Sequence, residues 1–181
     1  MRGDAITMRA PLEAVLASPP PPEGLVVRPL DERDAGPLGA LMLRAYETML
    51  DEQGLLLEDH VDVAARTMAG QFGALRPDCS FAAVGSGPEG LAGATVVTTW
   101  EAEPLLAFAL VDPAWQSRGV GSMLISRSAN ALLSSGATAW SLMVTRHNPA
   151  VRLYRRLGFT EQAERDRPAD DRGGRPAGPV T

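Results

Sequence analysis

Four consecutive prolines, Pro19 to Pro22, stand near the start of the chain. Proline has no backbone N–H and a fixed φ, so this run continues neither a helix nor a central strand and reads as a stiff polyproline connector. The expectation is an N-terminal segment and linker over residues 1–24, with the folded domain starting at Leu25. Upstream, Pro11 to Ala17 offers a helical turn or two, too little for a domain. From Glu161 onward the chain is crowded with Arg, Asp, Pro and Gly, the composition of a solvated tail, and residues 164–181 are expected to be disordered. One domain over residues 25–163 remains, in keeping with 181 residues of which 45% are apolar.

Composition excludes several classes of function. With 17 basic residues, all arginine, against 22 acidic ones, the chain lacks the basic footprint that a nucleic-acid backbone requires. Cys79 is the single cysteine, which leaves no intramolecular disulfide and no thiolate-rich metal site, and a reducing, cytoplasmic setting is expected. No apolar run reaches the roughly 20 residues of a membrane span, and no secretion signal opens the chain.

Hydrophobic periodicity gives a strand at Leu25–Arg28 and a helix from about Ala35 to Leu50, capped by Asp34. A second helix follows from about Glu58 to Met68. Ser80–Val84 and Leu91–Trp100 read as a hairpin, Leu105–Val111 as an apolar strand and Gly119–Ser134 as a helix stopped by Gly136. Then come a strand at Ala139–Thr145, a helix at Pro149–Leu157 and a last strand opening at Phe159. The order predicts a mixed α/β sheet with helices on its faces.

The stretch from Val111-Asp112 through Gln116-Ser117-Arg118-Gly119-Val120-Gly121-Ser122 takes an apolar strand through a tight turn into a helix. A helix N-terminus carries unpartnered N–H groups and about half a positive charge, so it attracts anions, and glycine lets a phosphate approach the backbone. Arg118 adds a forked cationic donor. The dinucleotide and triphosphate loops are both excluded, the first by the missing third glycine and the second by the missing Gly-Lys-Ser/Thr. Gly119 and Gly121 also serve simply to shape the turn and pack the helix.

This stretch resembles the Gln/Arg-x-x-Gly-x-Gly/Ala signature of the GCN5-related N-acetyltransferase (GNAT) superfamily. Asn148-Pro149-Ala150-Val151-Arg152-Leu153-Tyr154 and Leu157-Gly158-Phe159 resemble its second signature. The likeness covers Leu25 to Thr160 and is strongest from Leu105. It implies the acyl-CoA N-acyltransferase fold, with a mostly antiparallel sheet whose fourth and fifth strands diverge around the pantetheine arm of acetyl-coenzyme A. That arm would pair with backbone near Leu110 and Val111, which would also supply an N–H to the thioester carbonyl, while Asp112 would be among the coenzyme-binding residues and Gln116 to Ser122 would hold the diphosphate. Asn148 would bind the arm, and Tyr154 would protonate the leaving thiolate. No metal is implied. Each residue has a plainer role: Asn148 caps a helix, and Tyr154 lies on an apolar helical face with Ala150, Leu153 and Leu157.

The chain departs from the family pattern twice. Leu105–Val111 holds no ionisable side chain, whereas many members carry a glutamate on the fourth or fifth strand. The remaining candidates for a general base are Glu103 and Glu101, just before the strand, and His147, whose imidazole suits proton uptake near neutrality. His60 has no evident partner, and Cys79 reads as packing. Secondly, no seventh strand follows Phe159, so a sheet edge is exposed unless the N-terminal segment or a second copy of the chain covers it.

The first two helices and the region of Trp100 would shape the acceptor pocket. Beside Tyr46, the acid-rich stretch of Glu47, Asp51, Glu52, Glu58, Asp59 and Asp62 suits a cationic amine, such as a peptide N-terminus, a polyamine or an aminoglycoside, or else forms a solvated face. The expected activity is transfer of an acetyl group from acetyl-CoA to a primary amine by a monomer or homodimer. The alternative is an acyl-CoA-binding sensor or accessory subunit without catalysis.

Overall fold

The computed structural model describes residues 4–12, 18–46, 55–85 and 90–162. The chain forms β1 (Ala5–Pro11), β2 (Leu25–Pro29), α1 (Ala35–Tyr46), α2 (Leu57–Met68), β3 (Ala74–Leu75), β4 (Phe81–Gly85) and β5 (Leu91–Trp100). It continues through β6 (Glu103–Val111), α3 (Val120–Ser134), β7 (Ala139–Thr145), α4 (Val151–Arg156) and β8 (Thr160–Glu161). The strands build one sheet in the order β2-β4-β5-β6-β7-β1-β8, with β3 beside β5. All pairs are antiparallel except β6 with β7.

The first strand corrects the reading of residues 1–24 as a linker outside the domain. Ala5–Pro11 pairs with β7 along its whole length and with β8 at Met8 and Arg9, occupying the place left by the strand absent after Phe159. Its alternation is that of a half-buried strand: Ile6, Met8 and Ala10 are buried, while Ala5, Thr7, Arg9 and Pro11 face out. Pro11 therefore ends a strand rather than starting a helical turn; residues 13–17 lie outside the described residues. The prolines themselves form neither helix nor strand. β1 and β2 sit five strands apart in the sheet, roughly 24 Å at about 4.8 Å per strand. The connection between them touches α3, where Ser18 Oγ donates to the Met123 carbonyl at 3.5 Å.

Helices cover both faces. Leu38, Leu41, Met42, Ala45 and Tyr46 of α1, with Ala64 of α2, pack on Ala94 and Val96 of β5 and on Ala107, Phe108 and Leu110 of β6. Gly39 makes room for the α1–α2 contact, since a Cβ there would stand 2.6 Å from the Val61 backbone. On the opposite face Ile125, Ala129 and Leu132 of α3 and Val151 and Tyr154 of α4 meet Met8, Leu106, Ala109, Leu142 and Val144.

Several boundaries differ from the sequence expectation for local reasons. Asp34 does not cap α1; it sits in a 3-10 turn capped by Asp31, buried beneath a two-pronged contact from Arg28, with both N···O distances 2.6 Å. α1 ends at Tyr46, beyond which residues 47–54 lie outside the described residues, as do residues 86–89 of the β4–β5 turn and residues 163–181 of the C-terminal segment. β6 starts two residues early because Glu101 and Ala102, both with positive φ, make a two-residue turn from β5.

Two measurements check these anchors. Met8 has no exposed surface, so Met8→Ala is expected to cost about 2–4 kcal/mol in chemical denaturation, whereas a dispensable linker residue would cost almost nothing. Burial alone pushes the Asp34 carboxyl up, but Arg28 and the Asp31 amide more than offset this and hold it below the ordinary carboxylate value. Its stabilising contribution is therefore complete above the unfolded value of about 3.9 and is lost as pH falls below it. Asp34→Asn should accordingly lower Tm at pH 7 and flatten its fall between about pH 4 and pH 2.

Candidate active site

The site is built where β6 and β7 part. These parallel strands pair only at Leu105 with Ser141 and Leu106 with Leu142. Beyond those positions Met143, Val144 and Thr145 pair with β1, and β6 pairs with β5. A wedge thus opens toward the C-terminal ends of the two strands.

At the point of parting, β6 carries one extra residue. Val97 pairs with Leu106 but Val96 pairs with Phe108, leaving Ala107 unmatched. This bulge breaks the alternation of faces: Leu106 and Ala109 pack beneath α3 and α4, whereas Ala107 and Phe108 both pack toward α1 and α2. A bulge leaves backbone groups out of the ladder, and it lies upstream of Leu110 and Val111, where the resemblance places the carbonyl donor. The sequence carries no signal for it because the whole run is apolar.

At the open end, β6 runs into a loop that begins with Asp112, whose Oδ1 accepts the Ala114 N–H at 2.9 Å. Gln116 Nε2 donates to the Val111 carbonyl at 3.4 Å, and the Arg118 guanidinium lies over the Trp115 ring. Ser117 adopts positive φ, as does Gly119, which is the N-cap of α3. No side chain caps this helix, and its first backbone bond runs from the Met123 N–H to the Gly119 carbonyl. The N–H groups of Val120, Gly121 and Ser122 therefore have no intrahelical partner. Gly121 faces the wedge, since a Cβ there would lie 3.4 Å from Val111 and 3.6 Å from Leu153. Gly93 lets this turn come close to β5, because a Cβ there would meet Val120 and Leu124 at 3.0 Å.

Two buried donors stand on the β7–α4 side. Asn148 Oδ1 accepts the Ala150 N–H at 2.8 Å and so fixes the entry to α4, while its Nδ2 is buried without a hydrogen-bond partner. The Tyr154 hydroxyl is also buried and unpartnered, with its ring edge-on to Phe159. Desolvation pushes the phenol well above its ordinary value, so the proton stays on oxygen. Unsatisfied buried donors are costly in a folded protein, and two in one apolar cluster point to a ligand that accepts from them.

The structure separates the remaining candidates from this group. Glu103 lies at the closed end of β6, its Oε1 held by Arg9 Nε at 2.6 Å across β7. Glu101 is in the exposed turn. His147 is largely exposed and pairs through Nε2 with Asp4 at 2.8 Å. Of the acid-rich stretch, Asp59 accepts the Leu56 N–H and Asp62 pairs with Arg66, while Glu47, Asp51 and Glu52 lie outside the described residues. His60 is buried with its ring against Tyr46. Burial pushes the Cys79 thiol up to about 11, as fits a packing role.

A family model for the acetyltransferase (GNAT) domain matches residues 78–161, which hold both the Gln116–Ser122 loop and the Asn148–Phe159 segment. That stretch, somewhat less than half of the chain, is similar to the GNAT domain. A GCN5-related N-acetyltransferase from Sphaerobacter thermophilus has a similar structure, with a TM-score of 0.68 at 19% identity over 88% of this chain and 48% of that one. A tandem GNAT protein from the clavulanic acid biosynthesis pathway superposes with a TM-score of 0.64, at 19% identity over 87% of this chain and 50% of that one. An integron cassette protein from V. cholerae gives a TM-score of 0.59 at 14% identity, over 82% of this chain and 93% of that one. These likenesses show the fold, and this chain spans about half the length of the first two. No curated protein matches it. Among the described residues, no helix is long and apolar enough to cross a membrane, and no group of three His, Cys, Asp or Glu is placed to hold a metal.

The two functions of Asn148 can be separated by substitution. Asn148→Asp keeps the acceptor for the Ala150 N–H but loses the Nδ2 donor, so it should fold with nearly unchanged Tm while binding coenzyme A more weakly. Asn148→Ala should lose both, including about 1 kcal/mol of stability. Calorimetric titration beside a melting curve reads the two effects separately.

Proposed function

We propose that the protein is an N-acetyltransferase that moves the acetyl group of acetyl-CoA to a primary amine by direct attack. The observation that carries this reading is the wedge between β6 and β7, with free helix amides at its mouth and two unpartnered donors, Asn148 Nδ2 and Tyr154 Oη, on its α4 side. The diphosphate lies on the N–H groups of Val120, Gly121 and Ser122, with Gln116, Ser117, Arg118 and Gly119 shaping the loop. The pantetheine arm enters along Leu110 and Val111 and accepts from Asn148. The thioester carbonyl sits at the Ala107 bulge, where a backbone N–H freed from the ladder stabilises the developing oxyanion.

The amine nitrogen attacks the carbonyl carbon, the C–S bond breaks, and Tyr154 delivers its proton to the departing sulfur, the proton lost by the amine returning through water to the phenolate. Desolvation keeps the resting phenol protonated. Glu103 and His147 are engaged by Arg9 and Asp4, and the attacking amine gives up its proton to water. The same two engagements favour a second reading, in which the protein binds acyl-CoA without transferring the acyl group.

Thiol release from acetyl-CoA in the presence of pooled primary amines tests both. Amine-dependent release is the expected result; tight binding with no release across the pool selects the second reading, and no binding at millimolar coenzyme A overturns both. Tyr154→Phe removes a buried unpartnered hydroxyl, so it should leave Tm unchanged or raise it slightly while slowing turnover by about a hundredfold or more. Unchanged turnover would remove Tyr154 from the chemistry.

A further inference from the structure

The sequence reading placed Asp112 at the coenzyme, but the structure gives its carboxylate another partner. Arg44, in the last turn of α1, donates from Nε to Asp112 Oδ2 at 2.5 Å. Its Nη2 donates to the Leu91 carbonyl and its Nη1 to the Ala40 carbonyl, both at 3.1 Å. Asp112 uses its other oxygen for the Ala114 N–H, and its own N–H donates to the Ala92 carbonyl at 3.0 Å. The Asp112 side chain is only 15% exposed, so this is a single, partly desolvated charge-assisted hydrogen bond rather than a solvent-screened surface pair. One guanidinium thereby joins helix α1, the start of β5 and the first residue of the loop that leads to the open end of α3.

We propose that Arg44 is a positioning residue for the coenzyme diphosphate, acting through Asp112. This rests on the reading given above, in which the diphosphate lies on the amides of Val120 to Ser122. Those amides bind well only if they are already in place, because a loop that must be ordered at the moment of binding loses that ordering cost from its affinity. The loop is fixed at its middle by Gln116 on Val111 and at its entry by Arg44 on Asp112. Arg44 belongs to the helix layer on the opposite face of the sheet from α3 and touches no part of the proposed diphosphate site, so any effect it has on coenzyme affinity is transmitted through the loop.

The test titrates wild type, Arg44→Ala, Asp112→Asn and the double variant calorimetrically with coenzyme A and with pantetheine, which lacks the diphosphate, and records melting curves alongside. Asp112→Asn retains an acceptor for the Ala114 N–H and serves should Arg44→Ala fail to fold. Each single variant is expected to raise the Kd for coenzyme A about tenfold, a shift of about 1.4 kcal/mol, with the Kd for pantetheine within twofold of wild type. The double variant is expected to be no weaker than the weaker single, because both substitutions break the same link. Coenzyme A affinity within twofold of wild type in the single variants, additive losses in the double, or equal losses for coenzyme A and pantetheine would each overturn the proposal. Failure of wild type itself to bind coenzyme A would instead remove the reading on which the proposal rests.

Discussion

The parting of β6 from β7 is the constraint on which the rest of the molecule turns. Parallel strands gain by pairing along their length, and here pairing stops after two residue pairs although both strands continue. The unmatched Ala107 accounts for the divergence in physical terms. An extra residue bends the strand, increases its twist and moves later side chains to the other face, so β6 stays with β5 and leaves β7. Leu106 to Val111 of β6 are then buried on one side or the other by helices, which is why an uninterrupted apolar run is stable in this position.

β7 can leave β6 because it has another partner. β1 pairs with it from Ala5 to Pro11, and the Arg146 N–H continues the ladder to the Asp4 carbonyl. The same turn carries Arg146, bound to Glu161, and leads directly into Asn148, so the position of the buried Nδ2 depends on a strand drawn from the other end of the chain. Proline, which cannot donate to a ladder, appears in β1 only at its last residue.

Much of this was legible in the sequence where local rules decide. The Gln116–Ser122 loop, the helix it opens and the Asn148 turn announce themselves through glycine, Asn-Pro and apolar spacing, and the structure has a loop, a helix start and a capped turn at those places. The unread parts depend on contacts between distant residues. Ala5–Pro11 is a short alternating segment, and nothing local distinguishes it from a tail until β7 is placed beside it. The Ala107 bulge is hidden because side chains on both faces of β6 are apolar. Two of the candidate bases are engaged from the other end of the chain, Glu103 by Arg9 of β1 and His147 by Asp4 just before that strand, and no local signal joins these residues. Arg44 and Asp112 are likewise joined only by the packing of α1 on the face of β5 and β6.

The placement of β1 also sets an order of events in folding. Its residues are made early, yet their neighbours on either side, β7 and β8, come almost at the end of the domain. Until then Ile6, Met8 and Leu12 have nowhere to be buried, and closing so long a loop is entropically slow. The centre of the sheet can assemble during synthesis, but insertion of this strand waits for the chain to be nearly complete. The wedge between β6 and β7 therefore takes its final shape last.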